Sequence, residues 1–454
     1  MLKRILLSVF IFVNIALYFY SYDGATFIEG ADSSQYYLPA LSFLESGKFI
    51  RGGDYLTFGP PLYSIFLAVP IGMFGVEGSS IAIIILQAVL LFLTGYIFKL
   101  IFLSIYSGAG KNTYSILLYS LIVLNPNSLI TAHLVQSETL FTFLFSIMLF
   151  FFVSLLNNVS LKKLILIGLF AGLATLVRPV SLYFLIASPV FLWFLIKILS
   201  KKVDKFKLFI PLIIGAIVIS PWYVRNYIEF EKVFYTSNAG QYLELQYIQL
   251  KNKGSGWSRE QGEKYHNERF EEYLKIKDKD QELCLQHKKG WACNSALSKF
   301  SLQLILDEPI STHVKALSDS WVTLLFAGGA SNIRNYLGIE GKKAIVDFQN
   351  SPFTGLESIK DYLNKVNFSY MSIFIITTLF SVITRAVGVI GIFCLIKNRE
   401  WRPYVILFLG VVLLFGAAYL YLGQSRFRVP LDPILMLFTV FGIIYLKRKD
   451  DKYK

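Results

Sequence analysis

The sequence predicts an all-α polytopic membrane protein of about ten transmembrane helices, with an outer-face juxtamembrane helix and a small external α-rich segment, on three observations. Of 454 residues, 55% are hydrophobic and 16% aromatic. With a mean hydropathy of +0.54, the chain holds more apolar surface than a soluble domain buries. Apolar runs long enough to cross about 30 Å of hydrocarbon recur along it. The Lys and Arg residues behind the formal net charge of +14 gather in short segments beside those runs, which reads as membrane topology and not as nucleic-acid binding.

The elements follow in order. Lys3 and Arg4 precede a first apolar run over 5–20, and the absence of a small-residue cleavage site after it favours a retained helix. A polar outer loop, 22–78, carries Asp23, Glu29, Asp32, Glu45 and Asp54; within it Leu62 to Phe74 is apolar but short and follows Pro60-Pro61, so it is expected to lie at the interface. Further spans are expected near 79–104, 114–132, 139–157, 163–177, 180–199, 208–224, 369–397, 403–422 and 430–446. Ten spans leave both termini in the cytoplasm. The segments on that side then hold Lys99, Lys111, Lys162, Lys163, Lys201, Lys202, Lys205, Lys207, Lys397, Arg399, Arg402 and the basic tail from Lys447. A crossing by Leu62 to Phe74, or by Trp321 to Ala330, would move several basic loops outside.

Three parts are expected: an N-terminal transmembrane module, 1–225, with the first outer loop; an external segment, 226–368; and C-terminal helices, 369–454. The stretch 240–318 is mostly polar and includes a helical pattern from Ser258 to Lys277. Cys284 and Cys293 both fall in the external segment. They are as compatible with a disulfide as with two thiols, since the sequence does not give their Cα separation. His287 between them makes too few ligands for a closed zinc site.

Charge at the edge of hydrocarbon is expensive and tends to mark function. Asp32 begins a helical stretch running toward Leu44, where a carboxylate could also serve as helix cap; Glu138 opens the fourth span, where it could equally be a first-turn acid. Four arginines stand on the outer face against the positive-inside bias: Arg178, Arg225, Arg426 and Arg428. Guanidinium forks there suit a phosphate or pyrophosphate carried on a lipid, with snorkelling to headgroups as the plain alternative. Asn226 follows Arg225, and His133 stands just after the third span.

In order along the chain come Asp32 with Tyr36; Phe58-Gly59-Pro60-Pro61-Leu62; Ser137-Glu138-Thr139-Leu140-Phe141; Leu176-Val177-Arg178-Pro179; Pro221-Trp222-Tyr223-Val224-Arg225-Asn226; and Ser425-Arg426-Phe427-Arg428-Val429-Pro430. This series resembles the integral-membrane glycosyltransferases of the GT-C architecture, of the protein O-mannosyltransferase and lipid A aminoarabinose transferase type. The resemblance implies an inverting transfer of sugar from a polyprenyl-phosphate donor to a lipid, glycan or protein acceptor at the periplasmic or extracytoplasmic face of the plasma membrane. It implies Asp32 as general base, with Glu138 assisting. The departing phosphate would be stabilised by Arg178, Arg225, Arg426 and Arg428, and Tyr36, His133 and Asn226 would line the substrate. A divalent cation held by Asp32 and Glu138 is also possible on that pattern. Two features depart from the aminoarabinose branch: no acidic-basic pair precedes Pro60, and Gln35 stands where that branch has a basic residue. Its mode of phosphate binding, its metal and its acceptor therefore do not carry over.

A flippase or transporter of lipid-linked saccharides would also use outer arginines, but it tends to place charges near the bilayer midplane in paired broken helices. An oligosaccharide polymerase or ligase fits the arginines and fits the Asp32 loop less well. There is no phosphate-binding P-loop, dinucleotide fingerprint or zinc-protease motif. The short basic inside loops offer no folded domain for a nucleotide, so the donor is expected to arrive in the membrane.

Overall fold

In the computed structural model, the described residues are all except 1, 22–26, 28, 31, 52–53, 56–58, 200–203, 276–280, 283, 286–289, 340–367 and 451–454. They form 17 α-helices, numbered here α1 to α17, two short 3-10 turns and one two-stranded ribbon. The ribbon, Ile50–Arg51 against Asp54–Tyr55, is antiparallel and is the one departure from an all-helical chain among these residues. Lys201, Lys202, Asp23, Phe58 and His287 lie outside the described residues, as does most of the end of the external segment.

Each of the ten stretches expected to span is helical. They are α1 (Leu2–Ser21), the second part of α3 (Leu62–Ile105), α4 with α5 (Lys111–Val123, Pro126–His133), α6 (Glu138–Asn157), α7 (Leu161–Val177), α8 (Ser181–Ile198), α9 (Ile210–Phe230), α15 (Phe368–Lys397), α16 (Arg402–Tyr419) and α17 (Asp432–Asp450). Among the described residues, seven helices are by themselves long and apolar enough to cross a bilayer, and eight if α4 and α5, bent by 49° at their break, make one span. The break falls where Asn125 caps α5 through its side chain and Pro126 opens it. The protein is a multi-pass membrane protein.

Helix α3 contains a non-helical residue, Gly75, at φ 72° and ψ 174°, a conformation open to glycine and few others. It divides the stretch 62–74, expected at the interface, from the span that follows. Helix α2 (Ser34–Ser46) precedes the ribbon and ends on Gly47 in the left-handed region.

One apolar core joins both ends of the chain: Phe98, Phe102 and Phe145 from the first half share it with Phe415, Phe438 and Phe441 from the last two helices. Helices α15 and α17 pack backbone to backbone where Gly391 faces Phe438 and Gly442 faces Val387, the small-residue contact usual between membrane helices. The segment expected to be external is built from α10 (Ala239–Ser255), α11 (Arg259–Tyr273), α12 (Gly290–Leu306) and α13 (Ile310–Phe326). Ser258 opens α11 with a reciprocal capping box to Gln261. The unit docks on the turn after α16: Gln246 donates to the Tyr419 carbonyl at 3.0 Å and accepts from the Tyr421 amide at 2.9 Å, and Tyr242 donates to the Ala418 carbonyl. A disulfide joins Cys284 and Cys293.

Candidate active site

The N-terminal end of α6 and the C-terminal ends of α7 and α16 meet the start of α2 and the 3-10 turn Ser425–Arg428 around two ion pairs. Asp32 Oδ2 lies 2.6 Å from Arg426 Nη1, and Glu138 Oε1 lies 2.6 Å from Arg178 Nη1. The pairs adjoin. Phe427 stacks on Tyr419 with centroids 4.4 Å apart, and both guanidiniums sit against the Phe427 ring, Arg426 at 4.8 Å and Arg178 at 5.8 Å. Arg178 also donates to Ser137 Oγ at 3.2 Å and Tyr419 Oη at 3.5 Å, and Ser137 shares a hydrogen bond of 3.1 Å with the Tyr36 hydroxyl. Burial pushes the Tyr36 phenol up, against the pull of Arg178, so it stays protonated.

Local chemistry explains each placement. The N-cap of α2 is Ser33, and no side chain caps it, so the Asp32 carboxylate is spent on Arg426 and not on the helix end. Ser33 instead accepts from the Gly30 amide at 2.6 Å and donates to the Val135 carbonyl at 2.8 Å, tying the loop before α2 to the turn that leads into α6. Glu138 is the first residue of α6, favoured there by the helix dipole, yet its buried side chain also faces Arg178, which closes α7.

The expected residues therefore divide. Asp32, Tyr36, Glu138, Arg178 and Arg426 converge. Arg428 is 1% exposed and bonds Asp432 at 2.9 Å together with the carbonyls of Leu324, Leu325 and Ala327. Arg385 reaches the same Asp432 oxygen at 2.7 Å. Arg428 thus anchors the end of α13 and holds the turn that presents Arg426. His133 lies among Asn14 and Tyr336, at 3.0 and 2.9 Å, and stitches α1 and α14 (Ala330–Tyr336) to α5. Asn226 donates to the Phe234 and Tyr235 carbonyls, and Arg225 bonds Asn226 and covers the Trp222 ring. These contacts fold the 230–235 turn against α9, and the Tyr235 hydroxyl, donating to the Thr175 carbonyl at 2.5 Å, ties it to α7.

Three contributors carried no sequence signal of a role. Ser137 and Phe427 sit inside motifs that drew attention for their charged neighbours, and Tyr419 ends a span where interfacial tyrosines are common anyway. Each of the two carboxylates is paired with an arginine. Among the described residues no three His, Cys, Asp or Glu side chains gather as ligands.

In the membrane-spanning part, an apolar groove of about 510 Å³ runs between α8 and α16, lined by residues such as Phe191, Phe194, Gly410, Leu414 and Ala417. Its walls continue to the polar cluster, since α8 begins three residues after Arg178 and α16 ends on Tyr419.

No family model matches the chain, and no curated protein matches it in sequence. Solved structures do match. The Archaeoglobus fulgidus oligosaccharyltransferase tethered to an acceptor peptide is 13% identical with a TM-score of 0.52, over 99% of this chain and 50% of that one. The same enzyme with Zn and sulfate is 14% identical with a TM-score of 0.51, over 98% and 49%. ArnT from Cupriavidus metallidurans, bound to undecaprenyl phosphate, aligns with 97% of this chain and 78% of its own at 13% identity and a TM-score of 0.39. The chain spans about half the length of the oligosaccharyltransferase and shares the fold of that half.

Proposed function

We propose that the protein is a GT-C glycosyltransferase that takes a sugar from a polyprenyl-phosphate donor and passes it, with inversion, to an acceptor at the outer membrane face. The observation that carries this reading is the pairing of Asp32 with Arg426 beside that of Glu138 with Arg178, at the ends of spans, together with an apolar groove on α8 and α16, the helices that begin three residues after Arg178 and end on Tyr419. The groove suits a polyprenyl tail by its apolar lining, and the arginines of the cluster suit the phosphate.

In the reaction, an acceptor oxygen attacks the anomeric carbon, the bond from that carbon to the phosphate oxygen breaks, and the electron pair leaves with the lipid phosphate. Asp32, whose side chain is 30% exposed, takes the acceptor proton. Arg426 and Arg178 face the charge that grows on the leaving phosphate. Glu138 is too buried to meet an acceptor, at 2% exposure, and its role is to hold Arg178 in place. Tyr36 and Ser137 support that arginine from the first outer loop and the start of α6.

The disulfide supports an outer location for the external unit, since such bonds persist in oxidising compartments. With the basic loops inside, both termini are then cytoplasmic and the site opens outward. Likeness of fold to an oligosaccharyltransferase favours, as a second reading, a preassembled glycan as the transferred group. The test is sugar release from labelled polyprenyl-phosphate monosaccharides and oligosaccharides by purified protein in lipid, wild type against Asp32→Asn. Donor moved across a bilayer with its sugar intact, equally by both proteins, would replace this reading with a flippase.

A further inference from the structure

The two ion pairs have the same length and opposite character. Glu138 and Arg178 have side-chain exposures of 2% and 14%; Asp32 and Arg426 have 30% and 17%. Separating the first leaves a charge stranded in the interior, whereas the second is open to solvent and to whatever enters the site. Asp32 is also the single side-chain hydrogen-bond partner of Arg426 among the described residues, through Nη1, while Nε is buried without one. The guanidinium lies on the Phe427 ring, which fixes its plane whichever anion it holds. A carboxylate and a phosphate present the same kind of oxygen to that fork.

We propose that Arg426 is one anion slot shared by Asp32 and the phosphate of the lipid-linked donor, so that the phosphate, on binding, takes the arginine and releases the carboxylate. This deepens the glycosyltransferase reading and rests on it. The carboxylate oxygen that Arg426 holds is not free to take a proton, so its release couples deprotonation of the acceptor to the presence of donor, and an acceptor that arrives first meets an Asp32 whose Oδ2 is engaged. The Glu138 and Arg178 pair stays closed throughout and serves as the fixed wall against which the exchange occurs.

The consequence is opposite in sign for binding and for turnover. Removing the Asp32 charge strengthens phosphate binding while it stops transfer. The test is equilibrium binding of undecaprenyl phosphate to the full chain in nanodiscs, for wild type, Asp32→Asn, Arg426→Ala and the double variant, beside sugar-transfer assays of the same preparations. Asp32→Asn is expected to bind roughly twofold to fivefold tighter, the range of a part-exposed ion pair. The double variant should bind no better than Arg426→Ala alone, because the competition needs the arginine. Equal tightening in both backgrounds would be plain relief of charge repulsion and would overturn the slot, as would unchanged or weaker binding by Asp32→Asn. Loss of transfer without tightening rejects the slot and leaves Asp32 as base; tightening with transfer intact keeps the slot and rejects the base. A variant that misfolds is recognised by loss of its thermal unfolding transition, and Asp32→Ser, which also lacks the charge, then takes its place in the cycle.

Discussion

Asp432 accepts hydrogen bonds from two buried arginines on one oxygen, Arg385 at 2.7 Å and Arg428 at 2.9 Å. The triplet lies where the start of α17 meets α15 and the end of α13, two residues from the arginine that reaches Asp32. An asparagine at 432 would leave two buried cations without a counter-charge. Asp432→Asn is expected to cost about 3 to 5 kcal/mol of stability and to lower transfer by loosening the 425–428 turn. Thermal unfolding in detergent measures the first effect, and unchanged unfolding with unchanged activity would show that the triplet holds nothing.

Asp32→Asn is expected to leave unfolding within about 1 kcal/mol of wild type, because its ion pair is part-exposed. Transfer should fall by about 10²- to 10⁴-fold, as for the loss of a general base. A variant that retains a tenth of wild-type turnover removes Asp32 from the chemistry.

Glu138→Gln should behave differently. It strands Arg178 beside a neutral amide, so a loss of about 3 kcal/mol or more is expected. Turnover falls along with stability. Separating Asp32→Asn from Glu138→Gln on a plot of activity against melting temperature tests the division of labour between the two carboxylates.

His266 sets a pH dependence in the unit of α10 to α13. Its ring is 0% exposed among Tyr247, Phe270 and Phe300, its Nε2 meets Ser301 Oγ at 2.9 Å, and burial holds it down at about 4. A histidine held neutral adds stability that is complete above about pH 6.5 and is lost as pH falls toward 4, worth up to about 3 kcal/mol. Glu244, 3.8 Å away and pushed up by burial and by Glu263, takes its proton more readily in the folded unit and offsets part of that loss. Unfolding of His266→Gln between pH 4 and 7 should be flatter than wild type; a parallel slope would dismiss the histidine as its source.

The disulfide predicts a thiol count. Of three cysteines, Cys284 and Cys293 are joined. A denatured, unreduced chain should take one maleimide, at Cys394, and three after reduction. Three labels before reduction, in protein purified from an oxidising compartment, would contradict the bond.

The sequence by itself determined the class of the protein and the order of its helices, because hydrocarbon thickness and backbone hydrogen bonding leave a long apolar run little choice of structure. It also placed Asp32, Glu138 and the arginines at the ends of spans. Only the tertiary structure decided which of those charges meet. Arg426 and Arg428 look alike in Ser425-Arg426-Phe427-Arg428, yet one faces Asp32, 394 positions away, and the other turns inward to Asp432 and the carbonyls of α13. His133, too, is a plausible ligand by position and a tie between α1, α5 and α14 by contact. Sequence spacing fixes the depth of a residue along its helix, but its neighbours depend on how helices distant in the chain pack and rotate. That packing is set by the shared core and by close contacts such as Gly391 on Phe438, which no local pattern records.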